Sequence, residues 1–152
     1  MLSNGTEAKV GTLGSKYEFF HEWKRLAEED QGSVALETML RGICRKENFL
    51  DLFENFILYD HSGGHTAKIL ARNHQYLGVN EAVKAYEARK LNNGKLGVFW
   101  HTQGSGKSYS MVFLSQKIRR KFAGSPTIVV LTDREELNSQ ISDTFENCGL
   151  LG

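Results

Sequence analysis

Between a short apolar run and a helix-periodic segment lies WHTQGSGKSYSM, Trp100 to Met111, and no other stretch limits the fold so tightly. Thr102, Gln103, Gly104, Ser105, Gly106, Lys107 and Ser108 form the ending of a phosphate-cradling loop of the type G-x-x-x-x-G-K-[ST]. Gly104 and Gly106 can take backbone angles that turn successive N–H groups onto one phosphate. A helix beginning at Lys107 adds its own free N–H groups and about half a positive charge. Lys107 then reaches the β- and γ-phosphates of a nucleoside triphosphate, and the Ser108 hydroxyl ligates Mg²⁺. His101 occupies the place of the pattern's first glycine, so the close backbone approach rests on Gly104 and Gly106.

Such a loop needs a strand before it and a helix after it. KLGVFW, ending at Trp100, supplies the strand-like run, and the helix is predicted from Lys107 to about Phe122, burying Met111, Leu114, Ile118 and Phe122. PTIVVL is a β-branched run suited to a central parallel strand. It leads into Thr132-Asp133-Arg134-Glu135, where Thr132 and Glu135 have capping-box spacing, and then a last helix through Leu137, Ile141 and Phe145. Strand, loop, helix, strand and helix open a parallel α/β sheet.

Upstream the pattern is mostly helical. Phe19, Phe20, Trp23 and Leu26 recur at helical spacing within Tyr17–Glu29, and further helices are expected from about Ser33 to Cys44 and from Glu47 to Phe56. FILYDHSGGHTAKILA reads as two short strands around a Gly-rich turn. Gln75 to Lys90 reads as a helix stopped by Asn92-Asn93-Gly94. The expectation is a mostly helical region over 1–70 and the start of a phosphate-loop domain over 71–152.

Composition excludes several classes. A 152-residue chain that is 40% hydrophobic and 24% charged, with a formal net charge of +1, has the make-up of one soluble globular domain. Its charge gives no bulk attraction for nucleic acid, so any DNA contact must come from a local patch. Cys44 and Cys148 lie in no metal-ligand spacing, and no apolar run approaches the length of a membrane span. The expectation is a reduced, cytoplasmic chain. The basic run QKIRRK complements the dipole at a helix C-terminus. Glu7-Ala8-Lys9 and Glu22-Trp23-Lys24 lack the upstream aspartate of a nuclease site, and His61 and His65 flank a turn that does not hold them on one face. Asp133 ends the very next strand-like run and can help cap a helix, so it is a poor Mg²⁺ acid.

Taken together, SNGTEAKVGT, FFHEWKRL, LETMLRGICRKENFLDLFENFILYD, RNHQYLGVNEAV, VFWHTQGSGKSYSMVFLSQKIRR and IVVLTDREELNSQI resemble the restriction (R, motor) subunit of type I restriction endonucleases. The resemblance spans nearly the whole chain. It implies an α/β fold with a helical linker region followed by the first strands of a RecA-like parallel sheet of helicase superfamily 2, truncated here. Gly104 to Ser108 then correspond to the ATP phosphate site, Gln75 to the glutamine that reads adenine, and Thr132-Asp133-Arg134 to a motif whose neighbourhood touches the DNA backbone, making Arg134 a DNA-contact candidate. Asn73 departs from the tyrosine common in the family. The implied cofactors are ATP and Mg²⁺. The implied partners are double-stranded DNA and the modification (methyltransferase) and specificity subunits of one restriction system. The resemblance implies a fragment of an ATP-dependent translocase and endonuclease whose catalytic centre is incomplete. A binding or assembly module docking on partner subunits is the alternative, and a small independent kinase lacks room for a lid.

Overall fold

The computed structural model describes residues 1–32 and 35–150, and they fold as an α/β unit of five α-helices and two small antiparallel sheets. Strands β1 (Leu2–Ser3) and β2 (Ala8–Lys9) pair in the register Leu2 to Lys9. Helices α1 (Leu36–Ile43) and α2 (Lys46–Asn55) follow. Ser33 and Val34, where the second expected helix begins, lie outside the described residues. Strands β3 (Ile57–Asp60) and β4 (Ala67–Leu70) make the expected hairpin, with Ile57 opposite Leu70 and Asp60 opposite Ala67. Its side chains alternate as a half-buried ribbon requires: Leu58 and Asp60 point inward and Tyr59 outward. Then come α3 (Asn73–Glu87), α4 (Lys107–Lys121) and α5 (Glu135–Asn147). Among the described residues, no helix is long and apolar enough to cross a membrane.

One core unites these elements and draws on both sides of residue 70. Tyr76 stands between Trp23 and Phe56, with ring centroids 5.3 and 4.8 Å away, and Phe56 meets Phe113 at 5.6 Å. Such tilted aromatic pairs add about 0.5–1.5 kcal/mol each beyond burial. Helix α3 contributes Tyr76, Val79 and Val83, spaced at three and four. The buried face of α4 carries Val112, Phe113 and Ile118, while Met111 is exposed and Leu114 and Phe122 are only partly buried. The stripe expected from periodicity is thus rotated, because α4 is packed on α3, α2 and α5 rather than on one partner.

Three expectations differ from the structure. The helix predicted over Tyr17–Glu29 is a single 3₁₀ turn, Tyr17–Phe19, followed by extended chain. His21 exchanges backbone hydrogen bonds with Val10, at 2.8 and 2.9 Å. Beyond it, Asn73 clamps the next turn: its Oδ1 accepts from the N–H groups of Lys24 and Arg25, and its Nδ2 donates to the Arg25 carbonyl at 2.9 Å. Trp23 is buried as expected, but from an extended segment. Second, α5 starts at Glu135 with Arg134 as its N-cap and no side-chain cap, so Thr132 forms no capping box. Third, the runs 95–100 and 126–131 form no parallel ladder among the described residues. A strand exists only when a neighbour pairs its N–H and C=O groups, and here Val98 and Leu131 remain 93% and 91% exposed.

The basic run hides a buried charge. Lys117 on α4 is 7% exposed, and its Nζ donates to Asp51 Oδ1 on α2 at 2.5 Å and to Asn80 Oδ1 on α3 at 2.6 Å. It also lies 4.8 Å from the centre of the Phe56 ring. Burial lowers the Lys117 pKa, and the contacts with Asp51 oppose that shift. Lys117 therefore ties three helices together and is not a surface cation at a helix end. Lys117→Ala, which leaves the Asp51 carboxylate its amide donors Asn55 and Asn80 but no countercharge, is expected to cost about 3 kcal/mol. The double change Lys117→Met with Asp51→Asn should cost markedly less. Urea unfolding with unchanged m-values measures both, and equal losses would show that side-chain volume, not charge, makes the joint.

Candidate functional site

The segment after Trp100 folds into a tight turn, with the Ser105 N–H bonded to the Thr102 carbonyl at 3.3 Å. Gly104 and Gly106 both lie in the left-handed region, at φ +76° and +82°. Gly106 is the N-cap of α4, and Lys107 is its first residue. No side chain caps this helix and no acid sits in its first turn, so the free N–H groups and positive end of the dipole stay available. Among the described residues Asn93 is the one non-glycine with positive φ. His101 therefore needs no glycine geometry, which explains how the loop forms without the first glycine of the pattern.

Helix α3 holds the loop from behind. Gln75, 3% exposed, donates from Nε2 to the Gly106 carbonyl at 2.9 Å, while its Oε1 accepts from the Arg72 backbone N–H at 2.8 Å. Both ends of the amide expected to read adenine are thus engaged within the protein. The same Gly106 carbonyl accepts from the Ser110 N–H at 3.1 Å and its hydroxyl at 3.4 Å. One residue earlier on both segments, His74 Nε2 bonds the Ser105 carbonyl at 3.0 Å. Its ring lies 4.9 Å from that of His101, which in turn meets Phe99 at 4.6 Å. Burial, then the charges of His74 and Lys107, lower the His101 pKa, against a raising contribution from Glu28. Gly78 lets this stack approach, because a Cβ there would fall 2.4 Å from Phe99.

Lys107 and Ser108 open helix α4. Lys107 Nζ donates to the carbonyls of His101 and Thr102, each at 2.9 Å, so the ammonium is folded back over its own loop. Ser108 is half-buried on the first turn of α4, and Thr102 and Gln103 are exposed on the turn. Space beside Gly104 is open, since a Cβ there would meet nothing within 4 Å. Ser105 Oγ is buried without a hydrogen-bond partner. Open space beside an uncapped helix head suits an anionic ligand carrying Mg²⁺ that the Ser108 hydroxyl would hold.

Other sequence candidates lie apart. Arg134 is exposed at the start of α5 and faces Asp133 at 4.0 Å. Glu22 pairs with Lys24 at 2.9 Å. His61 bonds Thr66, and His65 bonds the Gly63 carbonyl. Sequence reasoning missed His74, whose position one residue before Gln75 is a signal only once α3 is known to face the loop. It also missed the clamp by Asn73.

The SWI2/SNF2 ATPase family matches residues 74–151. The chain is 37% identical, over 97% of its length, to the HindI type I restriction enzyme endonuclease subunit of Haemophilus influenzae, of which it covers 15%. It is 28% identical over 97% of its length to the putative MjaIXP endonuclease subunit of Methanocaldococcus jannaschii, covering 16% of that protein. With the putative MjaVIIIP subunit of the same organism it shares 31% identity over 81% of its length, covering 12%. The chain thus spans about 15% of the length of the curated relatives it matches. No solved structure matches it.

The two loop glycines separate backbone strain from contact. A Cβ on Gly106 would lie 2.8 Å from Gln75 Nε2, whereas one on Gly104 meets open space. Gly104→Ala should cost about 1–2 kcal/mol through its left-handed backbone alone, and Gly106→Ala should cost more because it also displaces the Gln75 amide. Urea midpoints of the two variants test this; an equal loss would mean that the brace from α3 carries no energy.

Proposed function

Because the chain belongs to the SWI2/SNF2 ATPase family across residues 74–151 and aligns along almost its whole length with type I restriction endonuclease subunits, we propose that it is the ATP-binding segment of such a subunit. The observation that carries this reading is Gly106, left-handed and braced by Gln75, at the uncapped head of a helix whose first residue is Lys107. The loop and the first turn of α4 present N–H groups to the phosphates. Lys107 releases the two carbonyls and bonds the β- and γ-phosphates. Mg²⁺, held by the Ser108 hydroxyl, would neutralise charge shared between those phosphates. Gln75 keeps the loop in register, and reading adenine directly would require it to give up the Arg72 and Gly106 bonds.

In this reading residues 71–152 begin a RecA-like domain in which the runs 95–100 and 126–131 become parallel strands once neighbours pair with them, and residues 1–70 are the linker packed on it. Hydrolysis, translocation on double-stranded DNA and cleavage belong to the longer subunit acting with modification and specificity subunits. Arg134, exposed at the start of α5, is the DNA-backbone candidate of this segment. The alternative, a docking module without nucleotide chemistry, draws support from Phe49, Leu50 and Phe53, which α2 exposes together.

Titration of the 152-residue chain with ATP and Mg²⁺ should give saturable binding that Lys107→Ala weakens roughly ten- to hundredfold, the scale of charged hydrogen bonds lost. Binding that is unaffected by Lys107→Ala, or absent in both, would favour the docking module. DNA-stimulated ATP hydrolysis by the chain alone is expected to stay at background, and measurable turnover would place a working catalytic centre within these residues.

A further inference from the structure

Two consecutive residues of α3 hold two consecutive carbonyls of the loop. His74 Nε2 bonds the Ser105 carbonyl at 3.0 Å, and Gln75 Nε2 bonds the Gly106 carbonyl at 2.9 Å. A carbonyl oxygen has no proton to give, so the His74 ring nitrogen is the donor and carries the hydrogen. In a trans peptide the N–H points opposite to the C=O, and no cis bond occurs among the described residues. Drawing both carbonyls toward α3 therefore aims the N–H groups of Gly106 and Lys107 away from it. Neither N–H has an acceptor among the described residues.

The backbone makes these two N–H groups converge. Gly106 is left-handed, at φ 82° and ψ 37°, and Lys107 opens a right-handed helix. Successive residues of opposite hand turn their N–H groups into one concavity that fits an anion. The His74 ring is itself held in place. It lies 4.9 Å from the His101 ring, which meets Phe99 at 4.6 Å. Gly78, one helical turn beyond His74, makes the room: a Cβ there would fall 2.4 Å from Phe99 and 3.3 Å from His101 Nε2. His101 stands in the place of the loop pattern's first glycine, so the residue that departs from the pattern is the one whose ring backs His74.

We propose that His74 is a positioning residue of the phosphate loop: by holding the Ser105 carbonyl it aims the Gly106 N–H at the same anion that the Lys107 N–H faces. It touches no ligand and acts through the peptide plane between Ser105 and Gly106. Gln75 holds the next plane, and neither plane can turn without breaking a bond to α3. The inference rests on the phosphate-loop reading and adds to it the side chain that sets one of the loop's N–H groups.

Calorimetric titration of the 152-residue chain with inorganic tripolyphosphate and Mg²⁺ tests it, with Lys107→Ala reporting on the loop reading itself. His74→Leu, which keeps bulk at the position but has no donor, should weaken binding roughly tenfold, the scale of one lost hydrogen bond. His74→Gln, whose amide nitrogen has a reach similar to that of Nε2, should bind within about threefold of the parent. Equal losses in the two His74 variants would mean that the ring packs and does not donate. Parent affinity in His74→Leu would mean that the Ser105 carbonyl needs no holding. Either result overturns the proposal, and a loss confined to Lys107→Ala does so while sparing the loop reading. Parent chain that binds no tripolyphosphate overturns both. A long-range ¹H–¹⁵N spectrum of the parent chain needs no variant, and so decides the matter even where His74→Leu does not fold. A hydrogen on His74 Nε2 at neutral pH is expected, and a hydrogen on Nδ1 alone overturns the proposal.

Discussion

The carbonyl of Gly106 is the point on which the site depends. It accepts from the Gln75 amide and from both the N–H and the hydroxyl of Ser110, so it joins α3, the loop and the second turn of α4 at one atom. A single carbonyl oxygen has two lone-pair directions, and here they are saturated. Its peptide plane is thereby fixed, and with it the direction in which the Lys107 N–H of the same plane points. The loop is therefore held by the helix behind it, through an amide that is itself locked by the Arg72 N–H.

That arrangement explains why the part of the chain ahead of residue 70 matters to a loop after residue 100. Helix α3 keeps its place because Asn73 at its first turn ties down Lys24 and Arg25, and because Tyr76 is packed between Trp23 and Phe56. Helix α4 keeps its own through Lys117, Asp51 and Asn80, and through Tyr109, whose hydroxyl bonds Asp60 at the end of β3. Desolvation and the bond to Asp60 raise the Tyr109 pKa, while that bond helps to hold the Asp60 carboxylate ionised against the opposing effect of its burial. Polar contacts at both ends of α4 thus fix its axial position, where apolar packing alone would leave it free to slide.

What was legible in the sequence was local. GSGKS specifies its own turn and helix start, and the Gly-rich stretch between two apolar runs specifies its own hairpin, since all the residues that decide these shapes lie within a few positions. The segment Tyr17–Glu29 has helical periodicity and yet is extended, because its partners are Val10 and Asn73, and no window along the chain contains Asn73 with Arg25. Lys117 reads as one more cation in QKIRRK because Asp51 and Asn80 are supplied by other helices. The capping-box spacing of Thr132 and Glu135 was a local signal that the structure does not use: the helix starts later, where Arg134 is already extended. The runs 95–100 and 126–131 have strand composition, but a strand is a property of a pair, and composition cannot state who the neighbour is.

Lys107 shows how such a loop can be both stable when folded and receptive. Its ammonium is satisfied by two neutral carbonyls, those of His101 and Thr102, and so carries no unpaired buried charge. Both acceptors belong to exposed or half-buried residues at the loop's edge, so water can replace the lysine when it leaves. Phosphate oxygens are charged acceptors, and charge-assisted hydrogen bonds are roughly twice as strong as neutral ones. In the proposed reading, that difference is what would draw Lys107 to a polyphosphate rather than to a neutral ligand. The preference for charge proposed for this loop thus has its physical basis in what the lysine already holds, two neutral carbonyls beside the left-handed Gly104 and Gly106.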